Sequence, residues 1–366
     1  MDGKSFVDIN VHIIDKDFKP KKKILDVLEM TEDKTAPNYR NAVDTKLEEF
    51  QIKDKVFSFT TDNENTMWAA FSDEERNGCF AHIESKSSKK SFEKQKTINR
   101  LRFKLRKISK KANKSSKFKY AIKKEQKKKN LRVLSLKQEV KTRFTATHTM
   151  IRSFMNDPNE GKEDYTNVDS VKKNVAAINA AMSKAGFKRN ELKNLLITDD
   201  DVNKMTELVP LLDALEEGVT LIGAENYSTG STVLPFLVKF NKLLKKDETD
   251  PGYMMDFKKL LRNDLEERCN KNLNKLLLSK ASFLDKRFYS LKFHQHEASI
   301  DKEDVIAEIR EELKEVEHNT VHQESVASKE KEPPKKKRFL GKGLGDDSDD
   351  EENSAANGNK SAQTEV

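Results

Sequence analysis

The chain has 366 residues, 35 % hydrophobic and 36 % charged, with a formal net charge of +8. That length holds one large domain or two modest ones, and so polar a composition predicts a core with charged extensions and a charged tail. It contains no apolar run of about 18 residues and no signal-peptide pattern in MDGKSFVDIN, which argues against a membrane partner and a secretory leader. Cys79 and Cys269 are the only cysteines. They argue against a disulfide framework and fit a reducing compartment, although one bridge between them stays open at this level.

In chain order, Val7, Ile9, Val11 and Ile13 alternate with Asp8, Asn10 and His12, the pattern of a half-buried strand over 6–14. Residues 22–30 predict a second strand. Val43, Leu47 and Phe50 predict a helix over 38–50, and 55–60 a short strand running into Thr61-Asp62-Asn63. Asn63 is the expected cap of a helix starting at Glu64. Residues 85–130 predict helix with a break near Asn113–Ser116, its apolar stripe being Ile98, Leu101, Leu105 and Ile108. Beyond Thr142 the periodicity predicts helices over 142–156, 166–184, 198–217, 230–246, 253–279 and 301–318. Asp157-Pro158, Gly186, Gly218, Gly223 and Pro251-Gly252 punctuate them. From 319 onward apolar residues thin out, as in a disordered segment.

The charge is unevenly placed. Residues 86–129 hold 20 Lys and Arg against Glu93 and Glu125, a net of +18 that leaves the rest of the chain at −10. Two compatible readings follow. The helices pack on the core through their apolar stripe, and the cations, among them Arg100, Arg102, Lys104, Arg106, Lys107, Lys110 and Lys111, meet nucleic-acid phosphates in a sequence-independent, salt-sensitive way. Phe92, Phe103, Phe118 and Tyr120 are too sparse to promise base-stacking specificity. Near the C-terminus, Lys335, Lys336, Lys337 and Arg338 follow two prolines and fit a nuclear-import signal. The acidic run around Ser348 fits either a phosphate acceptor or a solubilising segment.

Several segments, in order, carry a resemblance. DINVHIID (8–15), KTAPNYRNAVDTKLEEFQIKDKVF (34–57), SFTTDNENTM (58–67), the Cys79-x-x-His82 pair, EVKTRFTATHTMI (139–151), LLDALEEGVTLIGAENYSTGSTVLPFLVKFNKLL (211–244) and ASFLDKRFY (281–289) resemble successive motifs of hAT-type transposases and the BED-finger proteins derived from them. The resemblance spans about residues 6–292 and rests on order and spacing, since TDN or CxxH alone says little.

The resemblance implies a ribonuclease-H-like core with an inserted helical domain, in a fold that is α+β and mostly α. It implies segments at 1–84 (core), 85–138 (basic helical), 139–156 (return to core), 157–280 (helical insertion), 281–318 (core edge and acidic helix) and 319–366 (charged tail). Family members cut DNA with three carboxylates holding two divalent metals. Asp62 falls at the second carboxylate position, and Cys79, His82, Arg143 and Phe144 fall at further motif positions, Phe144 standing where the family carries tryptophan. Asp2 is placed too near the terminus to serve as the first carboxylate, and nothing around Glu311 or Glu315 matches the third. No four Cys and His stand at zinc-finger spacing. The expectation is a catalytically incomplete nuclear protein that is not an enzyme, with no cofactor or metal, associated with DNA or chromatin through its basic helices. Homo-oligomers or other hAT-like chains are the expected protein partners. The alternatives are a protein-interaction scaffold without DNA affinity and a degenerate transposon relic.

Overall fold

The computed structural model describes residues 5–17, 19–140, 145–155, 168–224, 229–291 and 301–314. It divides into two compact units, Met1–Glu311 and Glu312–Val366, of which the second lies almost wholly outside the described residues. The first unit is α+β and mostly helical. Among the described residues no helix is long and apolar enough to cross a membrane.

Strand β1 (Ser5–Ile14) pairs antiparallel with β2 (Pro20–Met30), with a register shift between Ile9 and Asn10. Alternation turns Val7 and Ile9 inward, where Leu25 and Leu28 join them against Val43 and Leu47 of helix α1 (Ala36–Glu49). Thr35 caps α1, accepting from Asn38 N, and Pro37 sits in the first turn, where its missing N–H costs nothing. On the outer face Phe6, Ile14, Ile24 and Val27 remain exposed, at 54–68 %.

The predicted strand over 55–60 is shorter and later than expected. Lys53–Lys55 form a 3-10 turn, and β3 covers Phe59–Thr61, paired in parallel with β4 (Arg76–Gly78) across helix α2 (Asn65–Ala70). The strands therefore form two separate two-stranded sheets. Phe59 and Phe71, with ring centroids 4.7 Å apart, close the small core beneath the hairpin.

The basic segment forms three helices where one break was expected: α3 (Phe80–Lys94), α4 (Lys96–Lys114) and α5 (Ser116–Lys128). The unexpected break has Gln95 as its cap, its side-chain oxygen accepting from Thr97 N and Ile98 N. Asn130 ends α5 in the left-handed region, φ 54°, and Leu131 N returns to Gln126 O. Helices α6 (Ala146–Met155), α7 (Val168–Lys184), α8 (Arg189–Leu195), α9 (Asp199–Ile222), α10 (Gly230–Leu243), α11 (Gly252–Asn272) and α12 (Lys275–Leu284) follow, and 302–314 is also helical. Gly218 does not end α9. The helix runs on to Ile222 with Gly223 as its C-cap, and residue 218 is held to glycine by packing, since the Phe236 ring lies where a side chain would stand, with Cζ 2.1 Å from an added Cβ. Asn274 splits the expected 253–279 helix by capping α12 at Leu277 N.

One large apolar core runs through helices α3 to α12. Phe92 meets Phe257 at 5.0 Å, Phe80 meets Phe236 at 5.7 Å, and Phe118 meets Phe187 at 4.8 Å.

Candidate nucleic-acid interface and the Asp62 site

Helix α4 is built around Ile98, Leu101, Leu105, Ile108 and Ala112, all buried and recurring every three or four residues. Such a helix must project its remaining residues along its flanks and outer face, and its nine cations divide accordingly. On the flanks, Arg102 Nε donates to Glu139 at 2.7 Å and Arg106 Nε lies 3.6 Å from the same carboxylate. Lys104 pairs with Asp201 of α9, and Lys111 with Glu191 of α8. Lys111 also sits 4.0 Å from the Phe187 ring centroid. Asp201 is in turn the capping-box residue of α9. Burial raises its pKa, but Lys104 and the Thr198 N–H more than offset this, and it stays below the ordinary carboxylate value.

Four of the seven cations expected to meet phosphate, Arg102, Lys104, Arg106 and Lys111, are thus already paired inside the fold. The other three, Arg100, Lys107 and Lys110, are exposed, as are Lys96 and Lys114, two further cations of the basic segment. Their signal was available: 96, 100, 107, 110 and 114 keep the alternating three- and four-residue spacing of the face opposite the apolar stripe. Residues 94–124 contain no Asp or Glu, so α4 has no acidic residue of its own to neutralise this face.

Asp62 stands just past the end of β3, half-buried. Its Oδ1 accepts from Glu64 N at 3.0 Å, and its carbonyl accepts from Arg76 Nη2 at 2.8 Å. Arg76 Nε donates to Thr61 Oγ1 at 2.8 Å. Burial lowers the Arg76 pKa, and the Asp62 charge opposes this. Cys79 is brought alongside, its N–H donating to Thr61 O at 2.7 Å. Asn63 does not cap α2 as expected; Glu64 is the cap residue, and Asn63 Nδ2 donates to Cys79 O at 2.8 Å. This close approach requires glycine at 78, since a Cβ there would lie 2.0 Å from Asn63 Oδ1 and 2.9 Å from Asn272 Cβ. His82 follows one turn into α3. Glu311 is exposed on the helix over 302–314. Arg143, Phe144, Asp2, Glu315 and the run Lys335–Arg338 lie outside the described residues.

A different cluster, not foreseen from the sequence, joins α6 to α9. His148, Asp213 and Glu216 bring ligand-capable atoms within 4.8 Å of one another. Asp213 contacts His148 Nε2, and Glu216 contacts Nδ1. Arg152 forks onto Asp213 through Nε at 2.8 Å and Nη2 at 3.1 Å. Burial disfavours the charged ring, but the two carboxylates override it and raise the His148 pKa. When the ring is protonated, it and the Arg152 guanidinium balance the two carboxylates, and the cluster clasps α6 to α9.

No curated protein matches the chain. Residues 1–75 match the family model of the ZBED1 RNase-like domain. That interval ends one residue before β4 and includes Asp62, and it points to a hAT- or ZBED-type, transposase-like family.

Proposed function

We propose that this chain is a nuclear, transposase-derived protein that associates with DNA through α4 and does not cleave it. The observation that carries the reading is the division of charge on α4. Four cations satisfy partners inside the fold, while Lys96, Arg100, Lys107, Lys110 and Lys114 face solvent on a helix that has no acidic residue. Structural need accounts for the first set and not for the second, and a dense local positive field attracts polyanions. Fluorescence anisotropy with labelled duplex DNA over a salt series tests it. Affinity should fall linearly in log–log form as counterions are retained at higher salt. Absence of binding at low salt would sink the DNA-associated reading.

The non-catalytic part is supported by the surroundings of Asp62. A two-metal clamp needs several hard oxygen ligands, whereas among the described residues Asp62 belongs to no group of three potential metal ligands; its carboxylate accepts from Glu64 N, and its backbone carbonyl from Arg76 and the Thr61 hydroxyl. The expected outcome is no Mn²⁺-dependent cleavage of hairpin or terminal-repeat DNA. Cleavage that disappears in Asp62→Ala would overturn it.

A second reading, a protein-interaction scaffold, is favoured by the exposed Phe6, Ile14, Ile24 and Val27 on the outer face of the hairpin.

A further inference from the structure

The five exposed cations of α4 share their row with one aromatic residue. Lys96, Arg100, Phe103, Lys107, Lys110 and Lys114 follow one another at steps of four, three, four, three and four, and all six are exposed. A seven-residue repeat on an α-helix keeps side chains close to one line, so the row is nearly straight and about 27 Å long at 1.5 Å per residue. It is also held rigidly. Leu105 and Ile108 are fully buried on the opposite side, and the pairs from Arg102, Lys104, Arg106 and Lys111 brace the flanks against Glu139, α9 and α8.

We propose that this row is a phosphate-tracking edge for duplex DNA, lying along about eight base pairs at a rise of 3.4 Å, with Phe103 against the deoxyribose face. This rests on the DNA-associated reading above and adds to it the form of the nucleic acid and the residues that hold it. The argument for a duplex is mechanical. The axis of a stiff duplex already runs straight over this distance, so a rigid straight row lies alongside it and reaches phosphates where each strand crosses the row, without an ordering cost, whereas a single strand must first be held in place. Single-strand binders offset that cost with successive aromatic platforms, and this row has one aromatic, Phe103, 47 % exposed, with Arg102 6.0 Å from its ring centroid. The contact is with backbone and not with base edges, because α4 is embedded among α3, α5, α6 and α8 and shows only its outer row.

The test compares the full chain with Arg100→Ala/Lys107→Ala/Lys110→Ala and with a control of equal charge change on α5, Lys119→Ala/Lys123→Ala/Lys127→Ala. Thermal melting checks that both variants remain folded. Probes are a 20-base-pair DNA duplex, the corresponding single strand, an RNA duplex of the same sequence, and polyglutamate. The expected result is a salt slope of about −4.5 on the DNA duplex for five phosphate contacts. The row variant should lose at least tenfold in affinity and about three units of slope, and the α5 control much less. Equal losses in both variants would overturn the row while leaving nucleic-acid association standing. Tighter binding to single strand, lost in Phe103→Ala, would overturn the duplex assignment. Equal affinity for the RNA duplex would overturn the restriction to DNA, and equal affinity for polyglutamate would reduce the row to a general anion surface. Failure of the unaltered chain to bind any nucleic acid would remove both this proposal and the reading beneath it.

Discussion

Glu84 is 4 % exposed in α3, and its Oε2 has no hydrogen-bond partner. Burial pushes its pKa up to about 7 from 4.5, with the Ser88 hydroxyl opposing only in part. The folded state thus holds a proton that the unfolded chain releases at lower pH, so the stability gained from the neutral acid is complete below 4.5 and lost as pH rises through about 7. The loss amounts to roughly 3 kcal/mol. Chemical denaturation across this range should show stability falling toward neutrality and Glu84→Gln should flatten the profile; an unchanged profile in the variant would show that Glu84 is not its source. His148 acts in the same direction at higher pH, since its raised pKa preserves the clasp to Asp213 and Glu216 below 6.5 and releases it as pH rises through the folded value. The two windows are separable because the Glu84 variant removes only the lower one.

At the scale of the element, α4 is both a wall of the core and a charged edge, and substitutions should separate the roles. Leu105→Ala opens a cavity at a fully buried site and should cost about 2–5 kcal/mol. Lys107→Ala should change stability by less than about 0.5 kcal/mol while weakening DNA binding. Equal destabilisation by the two would mean that the row serves the fold. For the same reason, removal of 86–129 as a block cannot test DNA binding, because it removes Ile98, Leu105 and Ile108 from the core. The apolar stripe of α4 and the alternation of β1 were legible in the sequence because each depends on local periodicity. The fate of the flanking cations was not, since the partners of Arg102, Lys104 and Lys111 lie 37, 97 and 80 residues away. Nor was β4, whose Arg76-Asn77-Gly78 contains no strand-favouring residue and is held by pairing with β3. Gln95 escaped notice because glutamine is an uncommon cap. Asp62 and Cys79 were legible as separate motif positions; their proximity was not, because it is made by the pairing of β3 with β4, the Asn63 amide and Gly78.

At the scale of the whole molecule, the apolar outer face of the hairpin and the cationic face of α4 invite different partners. A two-stranded sheet is marginal alone, and this one has a helix on a single face, leaving Ile24 68 % and Ile14 67 % exposed on the other. Exposed apolar surface of this kind favours association. Sedimentation velocity at increasing concentration should show self-association, and Ile24→Lys/Val27→Lys should shift it toward monomer. A chain that stays monomeric throughout would remove this surface from consideration.

The division of cations on α4 also leaves a readable trace in descent. Arg102, Lys104, Arg106 and Lys111 answer to Glu139, Asp201 and Glu191, so folding should constrain drift at these positions, least at the half-exposed Lys111–Glu191 pair. Positions 96, 100, 107, 110 and 114 answer to no carboxylate among the described residues, and the fold would survive their loss. In lineages where the polyanion contact is under selection, these five should exchange lysine for arginine and little else; where it has lapsed, they should wander to neutral and acidic residues while the inner four stay fixed.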